Sequence, residues 1–404
     1  MPDVEIEPKK QALPRNTPTF IFNRIELAGS LGDLGTLLPI AIAMIVINGL
    51  NVTNVMVAVG LFYIAAGLYF RVPVPVQPMK VIGAYAIAIG LTPTQIIAAS
   101  LWMGIVVLIL GTTSLIHVIG KYTPKSTVRG VQLGVGIILM SKGLNFIIKP
   151  DPNLAIQTIG AINTGIILGI AGMIITLLLL DNRKIPAAVL VVLGGIAVGL
   201  FIGNPVKWEE MKIGFHLPRF FPYGLPSWSD IIWVLPVLVL PQIPMTIGNA
   251  ILSNTDVMHE YFGEKAHRAS YRSIANSQGI ANIFSFALGG IPMCHGAGGM
   301  AAMYRFGART AAANVMIGAI FVALAILLGQ NALPILNLLP LSVLGVLLVF
   351  AGAQLALMVN DLTERKDLFV ALIMLGITLT VNLAVSFLCG IVIAYALKSD
   401  RVRV

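Results

Sequence analysis

Val72-Pro-Val-Pro-Val-Gln-Pro-Met-Lys80 interrupts an apolar run, and a helix-like stretch follows it from Val81. The prolines remove backbone donors and hold their neighbours extended, so a continuous helix cannot pass through this segment. In the second half, Gly289-Gly-Ile-Pro-Met-Cys-His295 interrupts another apolar run, ahead of a helix-like stretch at 296–304. Pro78 and Pro292 stand 214 residues apart, and Thr127-Val-Arg-Gly-Val131 resembles Ser342-Val-Leu-Gly-Val346 at an offset of 215. Two matches at nearly one spacing point to a duplicated unit. With an odd number of crossings per copy, about seven, the second copy is inverted relative to the first. Inverted repeats with broken helices are an architecture of secondary transporters, which place a solute site between the breaks near the bilayer midplane.

Composition places the chain in a membrane. Of 404 residues, 57% are hydrophobic and only 11% charged, with a mean hydropathy of +0.91. A soluble chain carries roughly 25% charged residues, so this one cannot cover itself in water. Stretches such as 96–119, 164–180 and 315–328 span or nearly span a hydrocarbon core of ~30 Å. They are apolar all round, which argues against a β-barrel. The expected class is an all-α polytopic membrane protein.

The formal charge of +9 then becomes a matter of topology. With fourteen crossings after a cytoplasmic N-terminal tail, 20 of the 26 lysines and arginines fall on the cytoplasmic side and four outside. That asymmetry puts both termini in the cytoplasm and leaves no excess to explain by nucleic acid. The expected organisation is a tail at 1–22, a first repeat at 23–204, an extracytoplasmic connection at 205–229, a second repeat at 230–398 and a tail at 399–404. The first tail has no apolar core and does not read as a signal peptide. Cys294 and Cys389 suggest neither a disulfide framework nor a metal site.

Four segments carry candidate chemistry. Asp33, in Gly29-Ser-Leu-Gly-Asp-Leu-Gly-Thr36, is the acidic residue placed well inside the membrane. Such a group is costly there and faces a protein interior. It serves either proton coupling and site organisation or a structural hydrogen bond to a nearby helix start or to Lys80. After the prolines, the helix opening near Lys80 presents free N–H groups and the positive end of its dipole. Gln77 and Lys80 add donors beside it, which together suit an anion, although a simple proline kink is the alternative. Gly296, Gly298 and Gly299 would let an oxyanion approach a second helix start. There His295 acts as donor or proton acceptor, or as a structural tie, and Cys294 reads as a packing residue. Finally, Gln242, Thr246 and Asn249 lie four and three residues apart on one predicted helix face, as a ligand wall or as interhelical glue.

Taken together, Gly32-Asp-Leu-Gly-Thr36, Pro73-Val-Pro-Val-Gln-Pro-Met-Lys80, Leu240-Pro-Gln-Ile-Pro244, Cys294-His-Gly-Ala-Gly-Gly299 and Tyr304-Arg-Phe-Gly-Ala308 resemble the molybdate transporter family, a relative of the sulfate permeases. The resemblance implies seven plus seven inverted spans divided into core and gate, as in sulfate and uracil permeases. It implies import of molybdate, with sulfate or another tetrahedral oxyanion as the alternative. It also implies a homodimer. The buried ionisable groups are few and show no His/Glu metal pattern, so no cofactor, no metal and no enzymatic activity are expected, and the expected location is the plasma (cell inner) membrane. Carried over by motif, the substrate site comprises Gly35, Thr36, Gln77, Pro78, Met79, Lys80, Cys294, His295, Gly296, Ala297, Gly298 and Gly299. Gln242, Thr246 and Asn249 join by their place in the repeat, and Asp33 and His295 are the candidates for proton coupling. A channel would need a continuous polar pore, and no nucleotide-binding loop or nucleophile–base pairing is visible.

Overall fold

The computed structural model describes residues 19–113, 115–116, 122–180, 182, 186–205 and 213–398. The expected tails, apart from residues 19–22, and part of the 205–229 connection lie outside them. Among the described residues the main helices fall into two sets of seven. The first set is α1 (Arg24–Asn48), α2 (Val52–Phe70), α3 (Lys80–Ile89), α4 (Pro93–Thr112), α5 (Lys125–Ile148), α6 (Thr164–Leu179) and α7 (Ala187–Ile202). The second is α8 (Trp228–Ala266), α9 (Tyr271–Leu288), α10 (Ala297–Arg305), α11 (Ala312–Leu328), α12 (Leu341–Asp361), α13 (Arg365–Thr380) and α14 (Leu383–Ala396). Among the described residues, seven helices are long and apolar enough to cross a membrane.

The packing repeats the duplication seen in the sequence. α2 packs on α11 and α4 on α9, and exchanging the two sets turns one contact into the other. α5 packs on α12, which is its own image. Small residues allow the approach: a Cβ on Gly60 would meet the Gly318 carbonyl oxygen at 2.7 Å, and one on Gly143 the Gly345 carbonyl oxygen at 2.5 Å. α1–α4 with α8–α11 form a core body, and α5–α7 with α12–α14 form a gate body. The bodies meet where α3 faces α5 and α1 faces α7.

Both broken segments are as the prolines require. β1 (Gln77–Pro78) pairs antiparallel with Met293–Cys294, with Gln77 opposite Cys294 and Pro78 opposite Met293. Pro78 has no N–H to give, and the Met79 N–H donates to the Pro292 carbonyl at 2.9 Å instead. α3 and α10 start directly after these strands. At 10 and 9 residues they are about 15 Å long and cannot cross alone. Gly90 at φ 71° ends α3, and Gly289 at φ 66° ends α9 before the second strand. In the connection, Gly214 and His216 donate backbone bonds to Leu327 and Ile326 at the end of α11.

α8 is the irregular element. Pro236, Pro241 and Pro244 withhold donors along it, and π-helical turns cover Leu235–Val239 and Thr246–Ser253.

Candidate functional site

Asp33 is fully buried in a short 3₁₀ turn of α1, and it holds the crossover of the first break. Its Oδ1 accepts from Gln77 Nε2 at 2.6 Å, and its Oδ2 accepts from the Val76 N–H at 2.7 Å and from the Tyr63 hydroxyl. In this arrangement the carboxylate is the acceptor of all three bonds. No ion pair joins Asp33 to Lys80 among the described residues. These bonds make Asp33 a strut of the broken segment; they run to Val76, Gln77 and Tyr63 and not, as expected for a structural role, to a helix start or to Lys80.

His295 ties the second break to the first. Its Nδ1 lies 2.7 Å from the Pro75 carbonyl oxygen and its Nε2 3.1 Å from the Ser277 hydroxyl. A carbonyl only accepts, so Nδ1 carries the proton and Nε2 accepts from Ser277. The ring is buried against Phe62 and Phe70. α10 in turn packs on the Asp33–Gln77 pair through glycine. A Cβ on Gly299 would overlap Asp33 Oδ1 and Gln77 Nε2, and one on Gly296 would overlap Gln77 Oε1. Cys294 is buried, with its Sγ 4.0 Å from the Pro78 carbonyl oxygen.

Two expectations need correction. The start of α3 does not present free N–H groups throughout its first turn, because Gln242 Oε1 accepts from Val81 at 3.0 Å and Ile82 at 3.3 Å. Gln242 Nε2 donates to Thr246 at 3.0 Å, so buried Gln242 caps the half-helix and buried Thr246 holds it in place. Asn249 does not share their role, although spacing put all three on one α-helical face. The π turn at Thr246–Ser253 changes the rotation per residue, and Asn249 turns into a cavity that neither Gln242 nor Thr246 lines.

That cavity, of about 70 Å³, lies between the bodies. From the core come Gly35, Thr36, Lys80 and Asn249, four residues expected from sequence; from the gate come Gln132 and Gln354. Ile40, Ala84, Leu139, Met245, Ala351, Leu355 and Met358 complete a mostly apolar wall. Lys80 forms no ion pair or hydrogen bond among the described residues. No carboxylate lines the cavity. Asp33, Gln77, Pro78, Met79, Gln242, Thr246, Cys294, His295, Gly296, Ala297, Gly298 and Gly299 stand behind or beside this wall rather than in its lining. Gly298 is exposed with nothing within 4 Å of where its Cβ would be, so the first turn of α10 is open there. Sequence reasoning missed Gln132 and Gln354, which belong to none of the motifs. Their signal was an amide inside an apolar span.

A larger space of about 270 Å³ adjoins the cavity and shares Gln132, Met245, Asn249 and Met358 with it. Lys125 and Arg129 line its far end.

Two bodies of inverted repeats with crossed half-helices and a small, mostly apolar cavity between them define a fold of the sulfate-permease type. Solved structures share the arrangement. The transmembrane domain of the cyanobacterial bicarbonate transporter BicA superposes with a TM-score of 0.62 at 18% identity, covering 93% of this chain and 98% of that one. SLC26A9 superposes with a TM-score of 0.65 at 14% identity, covering 93% of this chain, which spans only 65% of that longer protein. A family-wide profile described as "Molybdate transporter of MFS superfamily" matches residues 25–139 and 235–355. Molybdate transporter 2 of Arabidopsis thaliana is 30% identical over 92% of this chain and 87% of its own length. The chain belongs to the molybdate transporter family, whose members here are transporters and not enzymes.

Proposed function

We propose that this protein is a secondary transporter that imports molybdate, holding it in the cavity between core and gate and releasing it by alternating access. The observation that carries the reading is Lys80: at the start of a half-helix it lines a small space without a carboxylate and forms no ion pair or hydrogen bond among the described residues, with Asp33 acting on it only through space from behind the wall. A cation at membrane depth is costly unless something of opposite charge visits it. Thr36 and Asn249 add neutral donors, and the dipole of α3 adds positive potential at the same place. A cavity of about 70 Å³ is far below the ~300–1,000 Å³ of sites for drug-sized ligands, which favours a small anion. The choice of molybdate rests on the names of the relatives.

Proton coupling through Asp33 or His295 draws no support from this geometry, because neither lines the cavity and each is engaged in the frame. Cytoplasmic termini, the plasma membrane and a homodimer remain parts of the proposal that rest on charge asymmetry and family. The test is calorimetric titration of the purified protein with molybdate, tungstate and sulfate, with Lys80→Met alongside. Molybdate binding that weakens at least about tenfold in Lys80→Met supports the reading, as expected for losing a hydrogen bond to a charged group. Sulfate binding as tight as molybdate would assign the site to sulfate, and an unaffected Lys80→Met would move the site elsewhere.

A further inference from the structure

The wall opposite Lys80 belongs to the gate, and its two polar side chains are Gln132 on α5 and Gln354 on α12. Gln132 is 2% exposed and sits at the neck between the small cavity and the larger space beside it. Its Oε1 accepts from Arg129 Nη1 at 2.8 Å. Arg129 is itself gripped by Asp361, through Nε to Oδ1 at 2.8 Å and Nη2 to Oδ2 at 2.5 Å. Lys125 adds a second contact to Asp361 Oδ2 at 3.2 Å. The carbonyl end of Gln132 is therefore committed, and its amide N–H groups are the uncommitted end. Gln354, on the helix that ends in Asp361, has no hydrogen-bond partner among the described residues.

We propose that Gln132 and Gln354 are oxyanion ligands supplied by the gate, and that the Arg129–Asp361 pair is a positioning device that turns the Gln132 amide toward the anion. This rests on the reading of the cavity as the anion site and adds the half of the shell that the broken helices do not provide. Neutral amide donors suit the role, since they hydrogen-bond an oxyanion without adding charge that would resist its release. The consequence is mechanical. The core offers Lys80, Thr36 and Asn249, and the gate offers two amides, so the shell is complete only while the bodies are together. Separation of the bodies removes ligands, and release follows from the same motion that opens access.

The test is titration of the purified full-length protein with sodium molybdate, with thermal midpoints recorded without molybdate. Gln132→Ala and Gln354→Ala are expected to weaken binding about tenfold or more each, at an unchanged midpoint in Gln354→Ala and a lowered one in Gln132→Ala, which takes an acceptor from Arg129. Gln132→Glu keeps the shape and the bond from Arg129 but replaces the donors with an acceptor, so it is expected to bind more weakly than Gln132→Ala. A purely structural role for Gln132 predicts the reverse. Asp361→Asn is expected to weaken binding in the wild-type background and to add nothing to Gln132→Ala, because it acts through that side chain. Wild-type affinity in Gln132→Glu, or full additivity of Asp361→Asn with Gln132→Ala, overturns the inference while leaving the cavity reading intact. A wild-type protein that binds no molybdate overturns the cavity reading and this inference with it.

Discussion

Replacing Asp33 separates a strut from a proton carrier, and the structure sets the size of the effect. Its carboxylate takes three donors: the Val76 N–H, the Gln77 amide and the Tyr63 hydroxyl. In Asp33→Ala the Tyr63 hydroxyl keeps the Val76 carbonyl, 3.2 Å away, as an acceptor. The Val76 N–H and the Gln77 amide are left buried without partners, at about 1–3 kcal/mol each, so the loss is about 2–6 kcal/mol. Asp33→Asn behaves differently. The asparagine oxygen can serve Val76 and Tyr63, while its NH₂ meets Gln77, whose own Oε1 is buried and without a partner. Rotating the Gln77 amide by half a turn turns a donor–donor clash into a hydrogen bond, and what remains is the change from charge-assisted to neutral bonds, about 1 kcal/mol apiece at most. Thermal midpoints of the two variants, together with molybdate uptake into proteoliposomes with and without a pH gradient, test this. Asp33→Asn should fold, transport and respond to the gradient as wild type does, and Asp33→Ala should be much less stable. Equal destabilisation in both would refute the strut argument. A stable Asp33→Asn whose uptake no longer responds to the gradient would make Asp33 the proton carrier after all.

Other substitutions probe the same frame. Gly299→Ala drives a methyl group into the Asp33–Gln77 pair and within 2.8 Å of Pro75 Cβ; overpacking of this kind costs about 1–3 kcal/mol, so the midpoint should drop, and an unchanged midpoint would mean that α10 can back away. His295→Ala strips the Pro75 carbonyl of its donor, and the protein should lose about 1–3 kcal/mol of stability while the folded fraction binds molybdate normally. Loss of binding at an unchanged midpoint would instead mark His295 as a ligand. Gln242→Leu uncaps α3 and should cost about 0.5–2 kcal/mol, read as a lower midpoint, and a neutral result would show that the Val81 and Ile82 N–H groups find other partners.

The prolines at 73, 75 and 78 and the paired break at 289–295 made the architecture legible without coordinates, because a missing backbone donor and a fixed φ act on the chain locally, whatever surrounds it. The duplication was equally readable, since an offset near 214 is a property of the string. So were Thr36, Lys80 and Asn249, as polar groups stranded in apolar spans. What no local rule carried was direction. Asp33, Gln77 and His295 are as polar and as deep as Lys80, yet they face one another across the crossover, and only the meeting of α1, α2 and the two strands decides that. Asn249 parted from Gln242 and Thr246 because a π turn, forced where prolines thin the hydrogen-bond ladder of α8, changes which side each residue faces. Gln132 and Gln354 became candidates only when α5 and α12 came to lie opposite α3. Sequence determined which groups this protein had to hide in a membrane; long-range packing decided which of them hide from the solute and which are turned toward it.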